Sequence, residues 1–563
     1  MNDKHFHELV DSGNSVGEII GVDRFLVKVR GLQPINVHAL VMFEDGSKGY
    51  VHHVYEDFVI ILHLGSDALR VGMVAVVQHP KLVTKVGKNF IGRVVNIFGE
   101  PLDGKGPVTP DATWPVFNQA PMLYERELLD SQVETGVTAL DIMFSLLRGQ
   151  RMAVLGDSKS GKTTLTTQIA INQRSTDITV IYVLVAKRHT DVAQLLDRLE
   201  KNDAMSKAIV VVATMFESLI VNYLAPYVGC AMGEYLWQKC NMDTLVIYDD
   251  LTSHGMAYRE ISLIAGVSPG RDSYPGDIFY IHSQLVERAG KTEINHASQT
   301  ILPIVYAPNG DITAYLPTNV MSMTDGQWIL DMAVFRDTMR PAISTGLSVT
   351  RVGGVGQNKR QKAIAGKIYK TLASYRQADE YARFGSELSP ESAAALELGK
   401  QLYILFNQTV GETYSLMSQQ LLLDVLLNQE PGEKVDIPGM KKAVAEFAAR
   451  VQEDKENTNF DQIRDEFKAK FLLQQATPVA AETTPETEAA AEGDKKDGDK
   501  DKDKKAKKED KKDDAKKEDK PESKKDEPIV PDSPDVKKVE GTPGVNPAAV
   551  AAKPSEATAK EAK

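Results

Sequence analysis

The sequence has few cysteines, no long apolar runs and no excess of positive charge. Two cysteines, Cys230 and Cys240, in 563 residues do not make a disulfide framework, so we expect reduced thiols in a cytosolic protein. No apolar run approaches the ~20 residues of a membrane span, so contact with a membrane is expected only through partners. The formal net charge of -12 argues against nucleic acid as the main partner.

The two ends of the chain also lack particular residue types. The N-terminus, MNDKHFHELVDSG, has neither the apolar core of a signal peptide nor the Arg/Ser bias of a transit peptide, which favours a bacterial, cytoplasmic protein. Residues 476–563 contain no Phe, Trp or Tyr and consist of an Ala/Pro-rich part followed by mixed Lys, Asp and Glu. Such a segment cannot bury enough apolar area to fold, so we expect a disordered tail.

The first predicted domain, residues 1–77, shows a period of two in its apolar residues. Phe25, Val27 and Val29 are one example, and glycines and an Asp-Gly pair separate such runs. Short alternating strands with turns of this kind are typical of a small antiparallel β-barrel.

After the barrel the period changes twice. Residues 78–357 alternate strands with helices, which predicts a mostly parallel α/β domain. Residues 358–475 show a helical period, with Ile364, Ile368 and Leu372 on one face, and predict an α-helical domain. The candidate buried strands of the α/β domain are Ile181–Val185, Ile209–Ala213, Leu245–Tyr248 and Ile301–Val305.

The run GDSKSGKT fits the P-loop pattern G-x-x-x-x-G-K-[ST]. Gly156 and Gly161 let the backbone turn tightly and direct successive N–H groups at phosphate oxygens. Lys162 adds a positive charge near the outer phosphates, and Thr163 offers its hydroxyl to Mg²⁺.

The flanking sequence favours a nucleotide site over a glycine-rich structural turn. Met152–Leu155 predicts a short buried strand, and Thr163–Asn172 predicts the helix whose N-terminus completes the anion site. The predicted nucleotide contacts are Gly156, Asp157, Ser158, Lys159, Ser160, Gly161, Lys162, Thr163 and Thr164.

A second Mg²⁺ anchor is expected at the end of a neighbouring apolar strand. The segment TLVIYDD supplies it, with Asp249 as the better candidate because it directly follows the strand. The alternative is a strand-end carboxylate that caps the next helix.

The chain closely resembles the α subunits of F-type ATP synthases, over roughly residues 12 to 472. The resemblance implies a RecA-like fold for residues 78–357. The stretch APYVGCAMGEY is specific to α rather than β subunits. The other stretches that carry the resemblance are Glu134–Arg151, Tyr248–Leu263, Pro269–Gly290, Leu316–Gln327 and Arg340–Gly354.

The resemblance implies a place in a rotary enzyme that makes ATP from ADP and phosphate with a proton or Na⁺ gradient. It implies an alternating hexamer with catalytic β subunits, a γ central stalk and a δ/b peripheral stalk, at the cytoplasmic face of the bacterial plasma membrane. ATP or ADP and Mg²⁺ are the implied cofactors. Of the helix that usually docks δ, only about His5–Val10 remains.

Two positions decide the expected chemistry. A P-loop ATPase needs a carboxylate that positions water, and the resemblance aligns Lys187 with the Glu that does this in the catalytic β subunits. The ammonium of Lys187 cannot accept a proton at neutral pH unless its pKa is strongly lowered. The alternative interpretation, without a functional role, is that Lys187 is an exposed lysine in a loop. Under either interpretation the site lacks its base, so no turnover is expected at this P-loop.

The resemblance implies that Arg351 is an arginine finger in the neighbouring β site, and that Phe335, Arg340 and Pro341 surround adenine.

Three hypotheses stand. The chain is the regulatory, largely non-catalytic α subunit of an ATP synthase, or an α-like paralogue in an F-type-like ATPase that drives another machine. The third is a Rho-like ring helicase. It predicts an RNA-binding barrel with interleaved Lys/Arg and aromatics, and it is disfavoured because this barrel is not notably basic. Departures from the family pattern, such as Ser158-Lys159-Ser160 in the P-loop and the charged tail, indicate a divergent lineage or a paralogue.

Overall fold

A computed structural model describes residues 2–65, 69–383, 389–430, 433–452 and 459–473. The predicted disordered tail, residues 476–563, lies outside these ranges. Within them, no helix combines the length and the apolar character that a membrane crossing requires.

The N-terminal domain is a closed antiparallel barrel of six strands, which confirms the prediction from alternation. Its strand order is 1-2-5-4-3-6. The inward side chains include Val27, Val29, Val41 and Ile61, all fully buried. The strands are Val16–Asp23, Leu26–Arg30, Leu40–Phe43, Lys48–Val54, Val59–His63 and Val74–His79, so the last one runs past residue 77.

A helix at Asn2–Asp11 precedes the barrel. Its Phe6 packs with Met42 and Val76 in a small apolar cluster on the barrel's outer surface. The residues His5–Val10 therefore lie on a helix that has its apolar face against the barrel of the same chain.

The central domain is built on one large, mostly parallel sheet, as predicted. Side chains of the strand Thr179–Lys187 alternate between two apolar clusters, with Tyr182 in one and Val183 in the other, because helices cover both faces. From one edge to the other, the strands are Val94–Val95, Ala208–Thr214, Thr179–Lys187, Thr244–Asp249, Ser298–Tyr306, Ala153–Gly156, Gly326–Leu330 and Val349–Thr350. Short strand pairs are Val83–Val86 with Ala112–Pro115, Gln132–Val133 with Leu146–Leu147, and Lys434–Val435 with Leu472–Leu473, while Gly290–Lys291 pairs with Ser298–Tyr306.

Helices flank this sheet and form the C-terminal domain. Ile364, Ile368 and Leu372 are buried on one face of their helix, as the period predicts. The central helices are Thr138–Met143, Lys162–Asn172, His189–Lys201, Leu219–Cys240, Leu251–Ile264, Ile278–Val286, Tyr315–Met323 and Met332–Arg336. Those of the C-terminal domain are Lys359–Arg383, Pro390–Phe406, Leu416–Leu427, Ile437–Ala448 and Phe460–Phe471.

Candidate functional site

The P-loop joins the end of the strand Ala153–Gly156 to the start of the helix Lys162–Asn172. A Cβ on Gly156 would lie 2.8 Å from the carbonyl oxygen of Leu330, so only glycine fits there. Gly161 has φ 99°, a left-handed conformation that favours glycine. The loop geometry therefore requires both glycines of the motif, and the helix begins where phosphate would bind.

Lys162 is folded back onto its own loop. Its ammonium donates to the carbonyl oxygens of Gly156 at 2.9 Å and Asp157 at 2.6 Å. Burial lowers the pKa of Lys162 to about 8, and the nearby charge of Lys187 adds to the lowering while Asp250 and Asp249 oppose it. The lysine is therefore held beside the phosphate cradle rather than free in solvent.

The remaining residues of the loop differ in exposure. Ser158 and Lys159 are exposed, whereas Ser160 is 1% exposed and its hydroxyl has no hydrogen-bond partner among the described residues. The backbone N–H of Ser158 donates to the Asp157 carboxylate at 2.6 Å. The roles of these residues toward nucleotide stay predictions.

The two strand-end aspartates have different positions. Asp249 is the last residue of its strand and is 1% exposed. Asp250 precedes the helix Leu251–Ile264, and its Oδ1 accepts a hydrogen bond from the backbone N–H of Ser253 at 2.7 Å. The capping role that sequence left open for Asp249 thus belongs to Asp250.

Lys187 is not an exposed loop residue, so that interpretation was wrong. It ends the strand Thr179–Lys187, beside the strand of Asp249, and its side chain is 19% exposed. Its ammonium lies 2.8 Å from Asp249 Oδ1 and donates to Asp250 Oδ2 at 2.9 Å. Burial works to lower the pKa of Lys187, but the charges of Asp249 and Asp250 outweigh it and hold that pKa above its ordinary value.

The fit of Mg²⁺ to this site depends on Asp249. Its Oδ2 accepts a hydrogen bond from the Tyr182 hydroxyl at 3.2 Å, and Lys187 occupies Oδ1. Both oxygens are engaged, so Asp249 can reach a cation only if Lys187 moves. Over the described part of the chain, no cluster of three His, Cys, Asp or Glu side chains could hold a metal ion. Thr163, the other predicted ligand, is exposed in the first turn of the helix Lys162–Asn172.

A cavity of about 340 Å³ opens beside the P-loop. It brings the predicted adenine contacts Phe335, Arg340 and Pro341 to the same wall as Ser160, Gly161 and Thr164. The Arg340 guanidinium lies 3.5 Å from the centre of the Phe335 ring and donates to the Phe335 carbonyl at 2.7 Å. A flat cationic and aromatic surface of this kind suits a nucleobase.

Sequence reasoning missed one wall of this cavity. Gln408, Thr409 and Val410 line it from the loop that follows the helix Pro390–Phe406 of the C-terminal domain. The Gln408 amide is fixed by donating to the carbonyl of Gly136 at 2.9 Å. The polar run NQTVGE between two apolar helices predicts a loop, but nothing in it indicates contact with the P-loop domain.

Arg351 lies at the opposite end of the sheet from its own P-loop. Its backbone N–H donates to the carbonyl of Asp325, just before the strand Gly326–Leu330, whereas Gly156 pairs with Leu330 at the other end. Five residues of strand separate the two ends, roughly 17 Å at about 3.3 Å per residue. The Arg351 side chain is exposed, and its guanidinium donates to the carbonyl oxygen of Met321 at 3.2 Å.

A P-loop at the end of a parallel strand, an adjacent strand-end carboxylate and a nucleobase-sized cavity define a P-loop nucleotide-binding protein. The family model for the nucleotide-binding domain of the ATP synthase alpha/beta family matches residues 136–350. The model for the C-terminal domain of the ATP synthase alpha/beta chain matches residues 357–477.

Curated relatives agree with the domain matches. ATP synthase subunit alpha of Caldanaerobacter subterraneus subsp. tengcongensis is 38% identical, over 76% of this chain and 84% of the relative. The sodium ion specific ATP synthase subunit alpha of Acetobacterium woodii is 39% identical over 79% and 88%. The Clostridium kluyveri subunit alpha is 38% identical over 83% and 91%. The chain belongs to the ATP synthase alpha/beta family, among its α subunits, and is part of the synthase complex.

Proposed function

We propose that this chain is the regulatory α subunit of a rotary F-type ATP synthase and that its own P-loop holds ATP or ADP without turning it over. The observation that carries the second part is the ion pair of Lys187 with Asp249. A site that hydrolyses ATP needs a group that accepts a proton from water or orients it, and a paired ammonium has no acceptor.

The partners follow from the family. The chain alternates with catalytic β subunits in a hexameric ring around the γ stalk, with a δ/b peripheral stalk, at the cytoplasmic face of the bacterial plasma membrane. Contact with the membrane runs through the membrane sector, and nucleic acid is not a partner. Mg²⁺ arrives with the nucleotide, and the Thr163 hydroxyl is the protein group open to it.

Arg351 contributes to catalysis in the neighbouring β site. Its exposed position, at the sheet end away from its own P-loop, supports action on another subunit's nucleotide. A guanidinium supplied from outside stabilises the charge that spreads over the transferred phosphoryl group.

Nucleotide exchange in the assembled ring tests this function. The chain is co-expressed with the β and γ subunits of its own organism, and the ring is labelled with a photoreactive azido-ATP before and after a chase with unlabelled ATP. We expect label on this chain to persist as triphosphate through the chase while label on β turns over. Conversion of the label on this chain to diphosphate at the turnover rate of β would contradict the proposal.

Purification from the native membranes separates the synthase from a paralogous machine. The chain carrying an affinity tag should recover β, γ and the membrane sector together. Recovery of an export or motility apparatus in their place would favour the paralogue.

A further inference from the structure

The side chain of Lys187 places its positive charge between the two strand-end aspartates, Asp249 and Asp250. Both the backbone and the ammonium of Lys187 are held in place. Its backbone is part of the sheet, where Lys187 pairs with Thr214 and its carbonyl accepts from Met215 N–H at 3.0 Å. Its ammonium is held by Asp249 at 2.8 Å and Asp250 at 2.9 Å.

The ion pair is costly to break. Asp249 is 1% exposed, so without Lys187 its carboxylate would be buried with only the Tyr182 hydroxyl as a donor. When a buried carboxylate loses its cation, no attraction offsets the unfavourable free energy of its desolvation. The ammonium is therefore a permanent part of the site.

The charge balance at the loop shows what Lys187 changes. Among the described residues, the charged groups with the largest electrostatic effect on Lys162 are Asp250, Asp249, Lys187 and Asp157. Two ammonium groups thus face three carboxylates. With a neutral residue at position 187, Lys162 alone would face all three, and a polyphosphate would enter a negative site unless a divalent cation came with it.

We propose that Lys187 is a resident cation that lets this P-loop bind ATP or ADP with little dependence on a divalent cation. The proposal rests on the proposed function, namely that this P-loop holds nucleotide. The ammonium neutralises the strand-end carboxylates from the protein side, so Mg²⁺ has less charge to screen and has no free oxygen of Asp249 to bind.

Equilibrium binding of ATP to the purified full-length chain, in excess Mg²⁺ and in EDTA, tests this. For the wild type we expect dissociation constants within about tenfold of each other in the two buffers. Lys187→Gln removes the charge at nearly the same length. We expect its affinity for ATP in EDTA to fall by about tenfold or more, because the charges of Asp249 and Asp250 are then no longer neutralised and repel the phosphates. Lys187→Arg should keep the wild-type behaviour.

Lys201→Gln is the matched control. It removes one lysine charge from an exposed pair with Asp197, away from the loop, and should leave both dissociation constants unchanged. Circular dichroism checks that each variant is folded. If Lys187→Gln does not fold, loss of ATP binding by the wild type in EDTA still refutes the inference, and retained binding by both the wild type and Lys187→Arg supports it.

Two outcomes overturn the inference and are distinct from each other. A wild type that loses ATP on removal of Mg²⁺ as completely as Lys187→Gln refutes the resident cation and leaves nucleotide holding intact. A wild type that binds ATP in neither buffer refutes nucleotide holding itself, and with it the inference.

Discussion

The ammonium of Lys187 and the carboxylate of Asp249 form an ion pair of 2.8 Å at the ends of two neighbouring parallel strands. This pair places a positive charge beside the P-loop, where a hydrolytic site needs a group that accepts a hydrogen bond from water. It also engages the carboxylate that the sequence assigns to Mg²⁺. The arrangement suits retention of nucleotide and opposes its hydrolysis.

The first prediction concerns the purified chain alone. We expect it to bind ATP and to release phosphate at a rate negligible beside that of a ring containing β, because Lys187 supplies no acceptor for water. Phosphate release measured with and without β checks this. Turnover by the chain alone that disappears in Lys162→Ala would show that this P-loop is catalytic after all.

The second prediction concerns Arg351. In a ring with the chain's own β subunit, we expect Arg351→Ala to lower ATP turnover by about a thousandfold or more, since an arginine finger is worth that much. ATP binding to the isolated variant should be unchanged, because Arg351 lies at the far end of the sheet from its own P-loop. Arg383→Ala, which breaks the pair of the exposed Arg383 with the partly buried Asp379, is the control and should leave turnover intact. Near-normal turnover in Arg351→Ala would remove the finger assignment.

The sequence predicted the elements of the fold well because their signals are local. The buried strand around Ile181–Val185 and the helix with Ile364 and Ile368 were confirmed, since apolar runs and helical periods report burial directly. The glycine spacing of the P-loop predicted a tight loop between strand and helix for the same reason.

The sequence could not predict the surroundings of Lys187. A lysine after an apolar run is compatible with an exposed loop, and only the pairing of its strand with Thr244–Asp249 brings two carboxylates to it. That pairing joins residues about 60 positions apart, and no local period encodes it. The Gln408 wall of the cavity was missed for the same reason, because it comes from another domain.

The third prediction concerns a buried ion pair that joins Glu234, in the stretch APYVGCAMGEY, to Arg288. Glu234 and Arg288 are 0% and 1% exposed and make two hydrogen bonds, at 2.6 and 2.7 Å. We expect Glu234→Gln to lower the free energy of unfolding by about 3–5 kcal/mol, because it leaves a buried guanidinium without its counter-charge. Denaturant unfolding measures this, with Asp197→Asn, which breaks an exposed pair with Lys201, as the control. Equal unfolding midpoints for the two variants would contradict it.

The fourth prediction concerns acid stability and His282. This ring is fully buried, and neither of its nitrogens has a hydrogen-bond partner among the described residues. Burial lowers the pKa of His282 to about 4, below the value of about 6.5 in the unfolded chain. As pH falls from 6.5 towards 4, the unfolded state therefore binds the proton first and stability is lost. His282→Leu removes this titrating imidazole, so the loss of unfolding free energy between pH 7.5 and pH 5 should shrink by about 2 kcal/mol relative to the wild type. Urea unfolding at the two pH values checks it, and an unchanged loss in the variant would show that His282 does not set the acid limit.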